Sequence, residues 1–320
     1  MARPRHLLAS VPRAIRPRGS DPALASDRRS PEPPQRIDGW RRYADRLRLG
    51  GRCGVDPSLE SVLEVLHDLA PPGLAAEWDN VGLLLEGTRT IQTVILCIDL
   101  TEAVFDEARE RSADLIVAYH PPIFKGIRRL TGGTPQGRVL LGALRGGISV
   151  YSPHTALDAA TGGMCDWLLE SFGVPFTDSA PIQPDRSDPS VGAGRRAVLA
   201  TPRPLTDAVA SIKEHLQLPH VRVASPTDRS IRAPISTVAV CPGAGGSVLS
   251  SLGSVDLILT GEMRHHDVLS WAAQGTTVVL TDHTHTERGY LLRLADRIRR
   301  ARPRLSVGCA ATDVDPLVVW

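Results

Sequence analysis

The sequence predicts an α/β fold in which mostly parallel strands are covered by helices on both faces. Short apolar runs of strand length recur along the chain: TVILCID, LIVAY, ISVY, RAVLA, STVAVC, DLILT, TTVVL and LSVGC. Most are separated by stretches with helical spacing, such as TEAVFDEARERS and TERGYLLRLADRIRR. The runs are apolar throughout, the pattern of strands buried on both sides, and strand–helix alternation favours parallel pairing.

Taken in order, the first stretch, residues 1–55, differs from everything after it. MARPRHLLASVPRAIRPRGS carries Arg3, Arg5, Arg13, Arg16 and Arg18 without an acid, and SPEPPQR follows. Such a composition buries too little apolar surface to fold, so a disordered Arg/Pro-rich extension is expected. Residues 1–20 have the look of a mitochondrial transit peptide, but GC-rich coding or an over-extended start gives the same look and is the favoured reading. From Ser58 the pattern changes: in SLESVLEVLHDLA, Leu59, Val62, Leu63, Leu66 and Leu69 recur at helical spacing behind a serine cap. This helix opens a first α/β half, residues 56–178. DSAPIQPDRSDPSVGAG is rich in Pro, Ser, Asp and Gly and reads as a linker, residues 179–194, before a second α/β half, residues 195–320.

Composition excludes several classes. With 42% hydrophobic residues and no apolar run near the ~18 residues of a membrane helix, no membrane partner is expected. A net charge of +2 argues against a protein built to grip a phosphate backbone, and 4% aromatics leave few platforms for stacking single strands, so nucleic acid is ranked low. Of the 37 basic residues only Lys125 and Lys213 are lysines, a bias of coding rather than of chemistry. Cys53, Cys97, Cys165, Cys241 and Cys309 form no C-x-x-C pair, which points to a reducing, cytoplasmic setting. Cys97, Cys241 and Cys309 sit in or beside strand-like runs and read as small buried hydrophobes.

In open α/β sheets ligands bind beyond the carboxyl ends of the strands. Asp99 follows TVILCI, His120 follows LIVAY, His154 and Asp158 follow ISVYSP, Glu262 follows DLILTG, and His283, His285 and Glu287 follow TTVVLTD. Pro121 and Pro122 remove two amide donors and turn the chain away stiffly, holding His120 at the tip of its strand. His154 with Asp158, and His283 with Glu287, stand four apart, so each pair offers an imidazole and a carboxylate to one divalent ion. Either pair alone has a bland reading as caps and dipole partners. Mixed imidazole and carboxylate donors suit Zn²⁺, Mn²⁺ or Fe²⁺. In GEMRHHDVLSW, His265 and His266 either orient ligands and substrate or merely solvate a helix. CPGAGGS either presents amides to an anion or serves as a strand-to-helix turn. No G-x-S-x-G elbow is present.

EWDNVGLLLEG, YHPPIFKGIRRLT, YSPHTALDAA, LTGEMRHHDVLSWAAQG and HTHTERGYL, in that order, resemble the NGG-interacting-factor-three-like family, often labelled GTP cyclohydrolase type-two-like. The resemblance runs from the Ser58 helix to TDVDPLVVW. It implies two similar α/β halves with a dinuclear metal cleft between them and a toroidal homohexamer, here in the compact form without a central insert. Carried over, one ion is held by His120, Asp158 and Glu287, and a second by His283 and Glu287 with the residue before His120. That residue is Tyr119, where many bacterial members have histidine, so the second ion loses an imidazole and one or two ions per chain are expected. His154, His265 and His266 are the candidate proton carriers. The resemblance implies a metal-dependent hydrolase acting on a nucleotide, an N-heterocycle or a phosphoester. The alternative is a metal-stabilised ring that docks protein partners without catalysis.

Overall fold

The computed structural model describes residues 58–318. The Arg-rich extension expected over residues 1–55, and Cys53 with it, lies outside them. In chain order the first elements are α1 (Leu59–Leu69), β1 (Gly82–Leu85), β2 (Thr93–Cys97), α2 (Glu102–Glu110), β3 (Leu115–Ala118), α3 (Pro135–Gly146), β4 (Ser149–Ser152), α4 (His154–Ala159) and α5 (Met164–Leu169). Then come β5 (Phe176–Ala180), β6 (Gln183–Pro184), β7 (Gly192–Ala193), β8 (Arg195–Pro204), α6 (Leu205–Leu216), β9 (Arg222–Ala224), β10 (Pro234–Cys241) and α7 (Gly246–Leu249). The last are β11 (Leu257–Thr260), α8 (His265–Ala273), β12 (Thr277–Leu280), α9 (Tyr290–Ala301) and β13 (Ser306–Cys309).

The eight apolar runs are all strands, and they build two sheets. The first has the order β1-β4-β3-β2-β13. Its last four strands are parallel and β1 is an antiparallel edge. The second has the order β5-β8-β10-β11-β12-β9, with β10, β11 and β12 parallel and antiparallel strands outside them. The sequence boundary does not divide the sheets: β13, near the chain's end, pairs with β2 in the first sheet. The stretch read as a linker carries β6 paired with β7, in a turn where Ser187 and Ser190 donate to Asp185 and Asp188.

Strands β2, β3 and β4 are buried along almost every residue because both faces are covered. Val94, Leu96, Leu115 and Val117 face one core with α1, α4, α5 and α9, while Ile95, Cys97, Ile116 and Ala118 face a second with α2 and α3. The first of these cores also holds Val238, Val240, Leu257, Leu259 and Val279 of the other sheet, so the middle helices serve both sheets. In α9, Leu291, Leu294, Ala295 and Ile298 share the buried face at helical spacing. Truncating one such leucine costs about 2–5 kcal/mol. Arg195 crosses this region: 3% exposed, it pairs with Asp166 at 2.6 Å and donates to the carbonyls of Ala159, Gly192 and Gly194. Among the described residues no helix is long and apolar enough to cross a membrane.

Candidate metal centre

Strand ends from both sheets converge. The Tyr119 and His120 amides extend the ladder to the carbonyls of Cys97 and Ile98, at 2.8 and 3.0 Å, and the pairing stops at the two prolines. The His120 ring is therefore delivered at the tip of β3. Its Nδ1 lies 2.9 Å from Asp99 Oδ1, and its Nε2 lies 3.5 Å from Glu287 Oε2. His283 arrives after β12 by way of Asp282, whose φ of 66° is one an aspartate tolerates better than most residues. His283 Nε2 lies 3.5 Å from Glu287 Oε1, and its Nδ1 lies 3.4 Å from Glu262 Oε2. Glu287 follows the 3-10 turn Thr284–Thr286 and is 2% exposed, yet its Oε2 accepts no hydrogen bond.

Among the described residues, His120, His283 and Glu287 are the group whose ligand atoms lie within 4.8 Å of one another. The donor set fits a divalent ion. Donors about 2.1 Å from an ion at tetrahedral angles lie about 3.4 Å apart, so the two 3.5 Å separations are too long for hydrogen bonds and the right length for donors sharing an ion. His120 has its other nitrogen hydrogen-bonded to the Asp99 carboxylate, the arrangement that orients metal-ligating histidines, and the other nitrogen of His283 faces Glu262 at 3.4 Å. Gly243 completes the cradle. A Cβ there would stand 2.8 Å from both Glu287 Oε1 and His283 Nε2, and its φ of 56° favours glycine. The CPGAGGS loop thus packs bare backbone against the ligands. Two of its amides are already committed, Gly243 N to Thr286 Oγ1 at 2.8 Å and Gly245 N to Thr260 Oγ1 at 3.3 Å, which favours the turn reading over the anion reading.

Asp158 and Tyr119 are not part of this group. The Tyr119 hydroxyl donates to Asp158 Oδ1 at 2.6 Å. Burial, reinforced by the Asp158 and Glu287 charges, pushes the phenol well above its usual value, so it acts as a neutral donor. Burial also pushes Asp158 up to about 7, against the lowering effect of the Tyr119 hydrogen bond. At His120 burial pulls downward, but the hydrogen bond with Asp99 and the nearby Glu287 and Asp99 charges outweigh it and push the imidazole up to about 10. Asp99 is lowered, chiefly by its bond with His120.

His154 sits at the same mouth, its ring 5.5 Å from that of His120 and 5.4 Å from that of Tyr119. Its φ of 24° is an unusual backbone state, held because Asp79 takes His154 Nδ1 at 2.8 Å and the Thr155 amide at 3.1 Å. The Asp79 side chain is 0% exposed; burial would raise its pKa, but the bonds from His154 and Thr155 lower it. His265 and His266 lie apart from the three ligands, exposed at the start of α8. His265 lines a separate pocket of about 230 Å³ with Arg222, Val223, Met263 and Val268. The thiols of Cys97, Cys165 and Cys241 are buried and pushed upward by burial, so they are packing groups rather than nucleophiles.

Sequence reasoning put Asp99 at a strand end without giving it a task, and it did not reach Asp79's hold on His154. It also missed the C-terminal strap. Asp313 Oδ2 accepts the Ile98 amide at 2.6 Å and Asp313 Oδ1 pairs with Arg288 at 2.9 Å; Arg288 Nη2 in turn stands 3.7 Å from Asp99 Oδ2. The only available signal was two acids in TDVDPL, a pattern ordinary tails share.

Comparison with known proteins bears on the family and the fold. A protein-family model described as Duf34/NIF3 (NGG1p interacting factor 3) matches residues 57–316. The NIF3-like protein 1 of Drosophila melanogaster is 38% identical over 264 residues, covering 81% of this chain and 88% of the relative. The protein NIF3 homolog of Schizosaccharomyces pombe is 38% identical over 279 residues, covering 83% and 98%. Among solved structures, a Bacillus cereus protein related to NIF3 superposes with a TM-score of 0.72 at 17% identity, covering 83% of this chain and 100% of that one. Reduced HcgD from Methanocaldococcus jannaschii superposes with a TM-score of 0.68 at 22% identity, covering 80% and 98%. At these identities the structural likeness speaks for the fold of two similar halves and for nothing finer.

Proposed function

This chain belongs to the Duf34/NIF3 (NGG1p interacting factor 3) family, and from that premise we propose that it is a divalent-metal-dependent hydrolase acting on a nucleotide, an N-heterocycle or a phosphoester. One observation carries the reading: Glu287 is 2% exposed, one of its oxygens accepts no hydrogen bond, and two imidazole nitrogens stand 3.5 Å from it. A buried carboxylate left this way is costly unless a cation joins it. His120, His283 and Glu287 would hold a zinc, manganese or iron ion. Bound there, the ion supplies Lewis-acid polarisation and brings the pKa of water toward neutrality. One ion per chain is the count this donor set supports, because the Tyr119 hydroxyl is bonded to Asp158 rather than free for a second.

The chain's own residues arrange the rest. Asp99 keeps a proton on His120 Nδ1, which turns the Nε2 lone pair toward Glu287. Asp79 does the same for His154, leaving His154 Nε2 as the group that takes a proton from a nucleophile or returns it to a leaving group. Loaded with Zn²⁺, Mn²⁺ or Fe²⁺, the protein should turn over a nucleotide, a cyclic amidine or a model phosphoester. His120→Ala should abolish turnover, and His154→Ala should lower kcat about 10²-fold with the metal retained. Absence of turnover across that panel, with metal demonstrably bound, would overturn the reading in favour of a metal-stabilised ring that docks partners.

A further inference from the structure

We propose that Trp78, Phe124 and the loop after His120 form a subsite for a planar aromatic ring carrying an anionic group, beside the metal centre. The proposal rests on the metal-dependent reading above and narrows its substrate class. Among the described residues, Trp78 and Phe124, 63% and 44% exposed, are the exposed members of the Trp, Tyr and Phe set. Both stand over the same imidazole: the Trp78 ring is 6.0 Å and the Phe124 ring 6.5 Å from His154. They meet each other at 5.9 Å with 61° between their planes. Two faces splayed at that angle accept a flat ring stacked on one and edge-on to the other.

The two rings come from distant parts of the chain, yet their spacing is set. Asn80 Nδ2 donates to the Ile123 carbonyl at 2.5 Å, tying the Trp78 turn to the Phe124 segment, and Gln136 Nε2 holds the Pro122 carbonyl. The two exposed rings are thus held in place before a ligand arrives, which reduces the ordering cost of binding.

Charge gives the ligand a direction. Phe124 to Arg129 is an uninterrupted exposed run containing Lys125, Arg128 and Arg129, and none of the three forms an ion pair with a described residue. The metal centre itself gathers the carboxylates of Asp99, Glu262 and Glu287 around His120 and His283, whereas the loop offers three cations without an ion-pair partner among the described residues. A ring seated on Trp78 therefore carries its anionic group toward the loop and turns its opposite edge toward His154 and His120. A nucleoside monophosphate has this chemistry.

The test is binding of the four nucleoside 5′-monophosphates to the full-length, metal-loaded protein by calorimetry and tryptophan quenching, with the nucleosides and ribose 5-phosphate as split probes. At least one monophosphate should bind more tightly than its nucleoside and than ribose 5-phosphate. Trp78→Ala should weaken it by about tenfold or more, with metal content unchanged, and Trp78→Phe should restore most of the loss. Replacing Lys125, Arg128 and Arg129 together by Ala should erase the preference for monophosphate over nucleoside. Parity of all monophosphates with ribose 5-phosphate, or unchanged binding by Trp78→Ala, would overturn the proposal. So would a change in sedimentation mass with binding unaffected, which makes the patch an interface between copies. Ring binding without any turnover would retract the hydrolase and keep the subsite. Phosphoester turnover indifferent to Trp78→Ala and Phe124→Ala would do the reverse.

Discussion

Replacing Gly243 by alanine tests the cradle from outside the donor set. The added Cβ would sit 2.8 Å from Glu287 Oε1, 2.8 Å from His283 Nε2 and 3.2 Å from His283 Cε1, inside the ~3.5 Å at which carbon contacts become favourable. Something must move, and the atoms in the way are the ligating ends of two of the three side chains. The φ of 56° adds a backbone penalty of about 1–2 kcal/mol for an L-residue, and overpacking adds about 1–3 kcal/mol. If about half of that total falls on ligand geometry, metal affinity drops roughly fivefold to seventyfold, since each tenfold is about 1.4 kcal/mol. Competition against a chromophoric chelator measures the affinity, and thermal unfolding with and without metal separates the loss of binding from the loss of fold. Gly246→Ala is the control, with no heavy atom within 4 Å of its new Cβ, and should bind metal as the parent does. Parental metal affinity in Gly243→Ala would refute the cradle.

Four further outcomes follow from the same geometry. His120, pushed up from 6.5 to about 10, keeps its proton in the metal-free fold at pH 8, so loading an ion must displace it. Calorimetry in buffers of different ionisation enthalpy should report close to one more proton released by the parent than by His120→Ala. By the same linkage, this group's contribution to metal-free stability is complete below pH 6.5 and fades as pH climbs toward 10, which a melting series should follow. Asp79→Ala removes a fully buried acceptor of His154 and Thr155 and should cost about 3–5 kcal/mol by urea unfolding; a loss under about 1 kcal/mol would contradict its assigned place. Tyr119→His should raise bound ions from one per chain to two by metal analysis, because it removes the phenol that engages Asp158 and adds an imidazole; equal counts would contradict that.

Much of this was legible because the relevant signals are local. LIVAY followed by His-Pro-Pro announces a strand that must stop, and β3 stops there with His120 at its tip. The same rule found His283 and Glu287 after β12, and fully apolar runs announced sheets covered on both sides. What was hidden depends on pairings across the chain. β13 completes the first sheet from near the chain's end, and the edge strands β1, β5 and β9 are short and only partly buried, so they leave little pattern. The i, i+4 spacing of His154 and Asp158 suggested a shared ligand pair, but the two side chains part: His154 turns to Asp79, from a loop before β1, and Asp158 to Tyr119. Spacing within a segment cannot report such competition for a partner. His265 and His266 also follow a strand end, that of β11, but the chain enters α8 there with both side chains exposed, and His265 lines another pocket.

The central claim is that His120, His283 and Glu287 together hold one divalent ion. Its most direct test is metal content per chain by mass spectrometry, after equilibration with Zn²⁺ and desalting, for the parent and for Glu287→Ala. The account predicts one ion per parent chain and none in the variant. A parent that retains no ion, or a variant that retains as much as the parent, would contradict it.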